Sequence, residues 1–270
     1  MINVLKANKE KEIFNEEKLR DSIKRAGIPS EIQVDTLAHI KSKVYDGITT
    51  AEIRQHISEF LDQSPSPYSK ARYGLKESIM ALGPTGYPFE DFIARLLAAL
   101  GYQTKVRQLL QGKCITHEID VIADKEGKST MVEAKFHNNP GTRSEVHVAL
   151  YTHARFEDIK IKNNIHDALL VTNTKTTVDA NTYAQCAEMK VMSWSYPKGG
   201  SLRELIEKLR LYPITMLTSL GQMNKMTLLN NHIVLCKEIY ENPTALDSLP
   251  MSKEEKEKVL GEVVFICKEE

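Results

Sequence analysis

Two runs of alternating character in the middle of the chain constrain the fold most. Thr116-His117-Glu118-Ile119-Asp120-Val121-Ile122-Ala123 and Thr130-Met131-Val132-Glu133-Ala134-Lys135-Phe136 each read as one strand, joined by the turn-rich Asp124-Lys125-Glu126-Gly127-Lys128. Side chains alternate along a strand, so Glu133 and Lys135 project from one face while Val132, Ala134 and Phe136 project from the other. Asp120 on the adjoining strand supplies a second carboxylate. Further strand-like runs at 102–108, 168–173 and 190–194, with helical patterns at 88–100, 145–158 and 177–189, predict an α/β (α+β) sheet sandwiched by helices.

Breaker clusters divide the chain. Gly83-Pro84-Thr85-Gly86-Tyr87-Pro88 and Tyr196-Pro197-Lys198-Gly199-Gly200 separate segments 1–83, 84–197 and 198–270. The first segment reads as a hairpin, Ile2 to Lys6 and Lys11 to Phe14, followed by helices at 15–26, 30–45, 49–63 and 67–82. Thr49 or Thr50 can cap the third of these, with Glu52 in its first turn. After Gly200 the pattern is helical.

Composition excludes several classes. The 36 basic and 36 acidic side chains cancel, and in each segment they match to within one charge, so a DNA reading rests on a local groove and not on bulk charge. No apolar run is long enough to span a bilayer, no signal-peptide core opens the chain, and the expected address is the cytoplasm, away from membranes. The scattered Cys114, Cys186, Cys236 and Cys267 form no C-x-x-C pair and are expected as buried or half-buried thiols.

Carboxylates at one place form a hard cation site suited to Mg2+ or Mn2+. Phosphodiester hydrolysis needs an activated water and neutralisation of the developing oxyanion, which such a cation on Asp120 and Glu133 can supply. Lys135 can orient or deprotonate the water, and Glu90, on the helix before the sheet, can reach the metal shell directly or through water. The alternative is a solvated strand face with a surface ion pair, worth about 0–1 kcal/mol. Asp120, Glu133-Ala134-Lys135 and Glu90 together resemble the PD-(D/E)XK nuclease superfamily, in its Mrr-like restriction endonuclease branch, over residues 87 to 196. The resemblance implies Glu90, Asp120, Glu133 and Lys135 as catalytic residues and a metal site at Asp120, Glu133 and Ala134. His137 shares the Glu133 face as a candidate phosphate contact, whereas His117, His147 and His153 read as packing or surface histidines. Arg143 and Arg155 read either as DNA-phosphate contacts or as exposed helix charges.

No glycine-rich phosphate loop occurs. Val4-Leu5-Lys6, Ile13-Phe14-Asn15, Lys18-Leu19, Ser22-Ile23, Ala26-Gly27, Tyr45 to Ile53 and Ala71-Arg72-Tyr73 resemble the ATP-cone, a regulatory module of ribonucleotide reductases and of a bacterial repressor of them. Lys6 and Lys18 can meet phosphates, Val4, Ile13 and Leu19 can sandwich a purine, and Asn15 and Thr50 can hydrogen-bond. Glu12 stands where the family has a base- or phosphate-side carboxylate. Lys6-Ala7 replaces the family's Lys-Arg pair, and Asn8-Lys9 its Asp-Gly turn. The other reading is a helical module with solvated lysines.

Leu217-Thr218-Ser219-Leu220-Gly221, with Leu228-Leu229 and His232-Ile233, resembles a degenerate helix-hairpin-helix that offers amides to DNA phosphates; its apolar spacing equally suits a small packing domain. The acidic helix from Ser252 reads as a solvated cap or the surface of a homo-oligomer. The whole predicts a metal-dependent DNA endonuclease regulated by ATP or dATP. The alternative is a catalytically silent nucleotide-dependent DNA-binding or regulatory protein.

Overall fold

The structure, a computed structural model, describes residues 2–6, 9–25, 30–62 and 74–268. Ala7, Asn8, Ala26, Gly27, Ala71, Arg72, Tyr73 and the start of the helix expected at 67–82 lie outside the described residues. Two compact units form: one draws on residues 1–78, 214–225 and 236–270, the other on 79–213 and 226–235. Residues 198–213 and 226–235 fall in the second of these, and 214–225 and 236–270 in the first.

In the first unit, β1 (Asn3–Leu5) and β2 (Lys11–Ile13) pair antiparallel with Val4 opposite Glu12. Helices α1 (Glu16–Arg25), α2 (Ser30–Lys43) and α3 (Thr50–Asp62) follow. Leu19 and Ile23 fall on one face of α1 by their spacing of four and join a core with Val4, Ile40, Ile48, Ile53 and Ile57. Thr49 caps α3 reciprocally: its hydroxyl accepts from the Glu52 amide at 3.0 Å, and Glu52 Oε2 accepts from the Thr49 amide at 2.9 Å. Leu5 bridges to Thr49 and its amide donates to the Ile48 carbonyl at 2.9 Å. These bonds hold the start of α3 beside the strand that leads into Lys6. A short α4 (Leu75–Met80) comes next.

The second unit is built on a five-stranded sheet in the order β3-β4-β5-β7-β9. β3 (Gln103–Gln111), β4 (Thr116–Lys125) and β5 (Lys128–Lys135) are antiparallel neighbours, and β7 (Ile165–Thr172) and β9 (Lys190–Met192) continue the sheet in parallel. The parallel half needs crossovers, provided by α6 (Val146–Asn163) and α7 (Val178–Cys186). α5 (Tyr87–Ala99) precedes the sheet with Pro88 in its first turn, where a missing amide costs nothing. Sheet residues Ile122, Met131, Ala168 and Leu170 share a core with Val148, Ala149, Phe156 and Ile159 of α6. Each such buried aliphatic side chain contributes roughly 1.5–3 kcal/mol. α6 runs on to Asn163, past its expected end, until Asn164 turns left-handed at φ +54°. β6 (Arg143–Ser144) and β8 (Lys175–Thr176) pair in parallel and were not anticipated, since two residues carry no periodicity.

After the sheet come α8 (Leu202–Leu209), α9 (Gln222–Asn230), α10 (Cys236–Glu241) and α11 (Lys253–Cys267). Cys114, in the connection between β3 and β4, and Cys186, the last residue of α7, are exposed, contrary to expectation; Cys236 is buried. Among the described residues no helix is long and apolar enough to cross a membrane.

The β4–β5 turn fixes the register that matters most. Lys125 faces Lys128 across a two-residue loop in which Glu126 and Gly127 both have positive φ, +51° and +74°. That is the hairpin geometry whose twist matches the strands. It sets Val121 opposite Val132, so Asp120 and Glu133 lie one step further on. A Cβ at Gly127 meets nothing within 4 Å, so Gly127→Ala carries a purely conformational cost. Its expected value is about 1–2 kcal/mol in urea denaturation. Glu126→Asn, tolerant of positive φ, is expected to move the midpoint the other way; unchanged midpoints in both would contradict this turn.

Candidate active site and nucleotide cleft

The sheet unit gathers three carboxylates. Asp120 Oδ2 accepts from the Ala134 amide at 2.7 Å, joining β4 to β5 just past their last paired residues. Glu133 is 13% exposed and accepts from Arg155 Nη1, while Arg155 Nη2 reaches the Glu118 carbonyl. Glu90, at 11% exposure, accepts from Arg107 Nη1 at 3.2 Å. Arg107 Nη2 donates to Asp91 Oδ1 at 2.7 Å, and the other Asp91 oxygen meets His232 Nδ1 at 2.8 Å. Arg107 interrupts β3 with a left-handed φ of +52°, and the ladder passes it by: Val106 pairs with Val121 and Gln108 with Ile119. Such a backbone in a non-glycine residue costs about 1–3 kcal/mol and persists only where its surroundings enforce it. Lys135 is exposed at the end of β5.

Burial and mutual repulsion act on these acids together. Desolvation, then the charge of Asp120, pushes Glu90 and Glu133 up to about 7. Asp120 is also raised by desolvation, opposed by the Ala134 amide and by Arg155. The donor set suits a hard divalent cation: carboxylate oxygens of Asp120 and Glu133, with the Ala134 carbonyl between strand neighbours, in a place where extra positive charge relieves repulsion. Among the described residues no group of three or more His, Cys, Asp or Glu side chains is arranged to hold a metal ion. Any such ion therefore relies on two carboxylates completed by backbone and water.

A pH dependence follows. The ordinary Glu value of 4.5 applies in the unfolded chain, so between 4.5 and about 7 the native state binds more protons than the unfolded one. The stability from this source is complete below 4.5 and is lost as pH rises through about 7. In chelator, the urea midpoint of the sheet unit is expected to fall between about pH 5 and pH 8. Glu133→Gln is expected to flatten that slope and Mg2+ to restore stability at the alkaline end. A midpoint that rises with pH in chelator would contradict the assignment.

The other flagged residues find different partners. His137 lies past the end of β5, its Nε2 2.8 Å from Ser144 Oγ and its amide on Asn173 Oδ1, so it braces β6 instead of facing Glu133. His117 meets Asp158 at 2.8 Å, His153 meets Tyr183 Oη at 2.8 Å, and His147 is exposed near Glu145. Arg143 is exposed in β6. Arg155 is neither an exposed charge nor placed for a DNA phosphate: it is buried on Glu133, because α6 packs over that face of the sheet. Arg107, Asp91 and His232 were missed, since their approach depends on a strand irregularity and on a segment more than a hundred residues away in sequence.

In the first unit an open cleft is lined by Val4, Lys6, Glu12, Ile13, Phe14, Asn15, Lys18, Leu19, Ser22, Thr50, Ile53 and Arg54. Its cavity volume is about 180 Å³, smaller than the usual ligand-site range of roughly 300–1,000 Å³, so a ligand there would stay partly open to solvent. Glu12 sits at its centre, paired with Lys18 and, at 2.5 Å, with Lys6. Hydrogen bonds first from Lys18 and then from Lys6 hold its carboxyl down to about 2. Asn15 Oδ1 accepts from the Lys18 amide at 3.0 Å and so caps α1. Val4 and Leu19 are largely buried in the core, while Ile13 is 57% exposed and offers the apolar surface.

The C-terminal hairpin uses its own amides. The Thr218 and Ser219 amides donate to Glu262 at 2.7 and 2.8 Å, and both hydroxyls join them. Glu262 is wholly buried, so these amides are taken up by an internal carboxylate.

Comparison with known proteins agrees with this architecture. The chain matches the families described as ATP cone domain over residues 2–74, Restriction endonuclease over 83–195, and AF1548-like, C-terminal, over 212–267. An uncharacterized protein of Archaeoglobus fulgidus is 42% identical over 125 residues, spanning 46% of this chain and 71% of that one. The crystal structure of AF1548, a protein of unknown function, aligns with a TM-score of 0.60 at 33% identity, over 67% of this chain and 98% of its own. The MspJI restriction endonuclease in complex with a 27-mer oligonucleotide aligns at a TM-score of 0.38 and 12% identity, over 70% of this chain and 40% of its own, which is too slight to argue from. The fold is thus a restriction endonuclease-like domain joined to an ATP cone. The chain belongs to the AF1548-like family.

Proposed function

We propose that the protein is a divalent-metal-dependent DNA endonuclease whose activity is set by ATP or dATP bound to the cone. One observation carries the reading: Asp120, tied to the Ala134 amide at the end of β4 and β5, bears on both Glu90 and Glu133 and makes each harder to ionise, with Lys135 exposed at the end of β5. A cation held by Asp120, Glu133 and the Ala134 carbonyl supplies Lewis acidity and an activated water. Lys135 orients that water and offsets charge on the phosphate, and Glu90, held by Arg107, supports the site from α5. In the cone, the phosphates of the nucleotide compete with Glu12 for Lys6 and Lys18. With no glycine-rich phosphate loop in the sequence, the nucleotide acts as ligand and not as fuel.

The test is plasmid nicking by the full chain with Mg2+ or Mn2+, with and without ATP, dATP and a non-hydrolysable analogue. Asp120→Ala and Glu133→Ala are expected to abolish nicking with the fold intact, and Lys135→Ala to retain metal binding while losing at least about a hundredfold in rate. Wild-type nicking in Asp120→Ala would refute the site. Lys6→Ala and Lys18→Ala are each expected to weaken nucleotide binding about tenfold, a loss of about 1.4 kcal/mol. An analogue that fails to reproduce the ATP effect would show that turnover is required. A second reading, a silent nuclease fold that binds nucleic acid under nucleotide control, is favoured by the engagement of Glu133 with Arg155. It predicts DNA binding without nicking under every metal and nucleotide condition.

A further inference from the structure

Arg155 is an unusual guest among the acidic residues. It rises from α6 with 9% of its side chain exposed, gives Nη1 to Glu133 and Nη2 to the Glu118 carbonyl, and leaves Nε buried with no hydrogen-bond partner among the described residues. An unsatisfied buried donor on a charged group costs free energy that a purely structural ion pair would avoid. Charge balance accounts for its retention. Arg107 serves Glu90 and Asp91 on one side, whereas Glu133 pairs with Arg155. Arg155 is also held by a contact that does not depend on Glu133: its guanidinium carbon already lies 5.2 Å from the ring centroid of Tyr151, a residue 59% exposed to solvent. An aromatic face is a second favourable seat for a guanidinium.

We propose that Arg155 is the resident counter-cation of the acidic site: it positions Glu133 before metal arrives and yields that carboxylate when a divalent cation binds, so that it sets how tightly the metal is held. This rests on the reading of Asp120 and Glu133 as metal ligands. A guanidinium and a divalent ion on one carboxylate repel each other, and the cost of parting them is subtracted from metal affinity. Neutralising position 155 therefore tightens metal binding while weakening the metal-free fold. A residue that only supports the fold would do the second without the first.

The experiment is calorimetric titration of the full-length protein with Mn2+ alone, in the wild type and in Arg155→Met, Arg155→Lys and Asp120→Asn. Arg155→Met is expected to bind Mn2+ at least about tenfold more tightly than wild type, and Arg155→Lys, which keeps the charge, to stay near the wild-type value. Binding that depends on Asp120 but is unchanged or weakened in Arg155→Met would overturn the role of Arg155 and leave the metal site standing. Failure to detect Asp120-dependent binding in both wild type and Arg155→Met would overturn the metal site and this inference together. Should Arg155→Met not fold, the Nε–Hε resonance of Arg155, assigned by its loss in Arg155→Lys, is followed in the wild type during Mg2+ titration. A shift that saturates with Mg2+ supports displacement, and a resonance unmoved at saturation overturns it.

Discussion

Three carboxylates in a half-buried space repel one another, and the sheet unit is organised around offsetting that repulsion. Glu90 comes from α5, Asp120 from β4 and Glu133 from β5, and each receives a donor from a different direction: Arg107, the Ala134 amide and Arg155. Because Glu90 and Glu133 are pushed to about 7, the metal-free arrangement tolerates protons there near neutrality. Extra positive charge at this point acts in the opposite sense. The same groups thus tie fold stability to pH, a coupling general to sites that concentrate like charge.

The two arginines that offset this charge are held by different means. Arg107 bends the backbone of β3 out of its ladder and spans Glu90 and Asp91, with Asp91 in turn against His232. Arg155 keeps a regular helical backbone and leaves a donor unsatisfied instead. The first arrangement joins α5 to the segment 226–235 and is bonded at both guanidinium ends. The second is also bonded at both guanidinium ends, to the Glu133 carboxylate and the Glu118 carbonyl, and lies beside the exposed ring of Tyr151.

The cone repeats the theme on a smaller scale. Glu12 lies between Lys6 and Lys18 and keeps both cations at the cleft, offsetting one of their two positive charges. At the other end of the chain, Glu262 fills the amides of Thr218 and Ser219. In both places an internal carboxylate takes up the donors, half-exposed in the open cleft and wholly buried beside Thr218 and Ser219.

Much of this was legible in the sequence because it is local. The alternation of Val132, Glu133, Ala134 and Lys135 announces a strand with one charged face, Glu126-Gly127 announces a turn needing positive φ, and together they bring Asp120 toward Glu133. Thr49 and Glu52 likewise announce the start of α3, and the hairpin and first helix announce the residues that line the cleft. What periodicity cannot convey is which distant group enters a site and what it displaces. The burial of Arg155 on Glu133, the left-handed Arg107, the turn of His137 toward Ser144 and the filling of the hairpin by Glu262 all arise from packing between elements far apart in the chain. Sequence determined the main strands, the turn between β4 and β5 and the chemical types that meet; only the tertiary structure decided the register and the partner of each charge, because the energy of a charge depends on burial and on neighbours that local sequence does not specify.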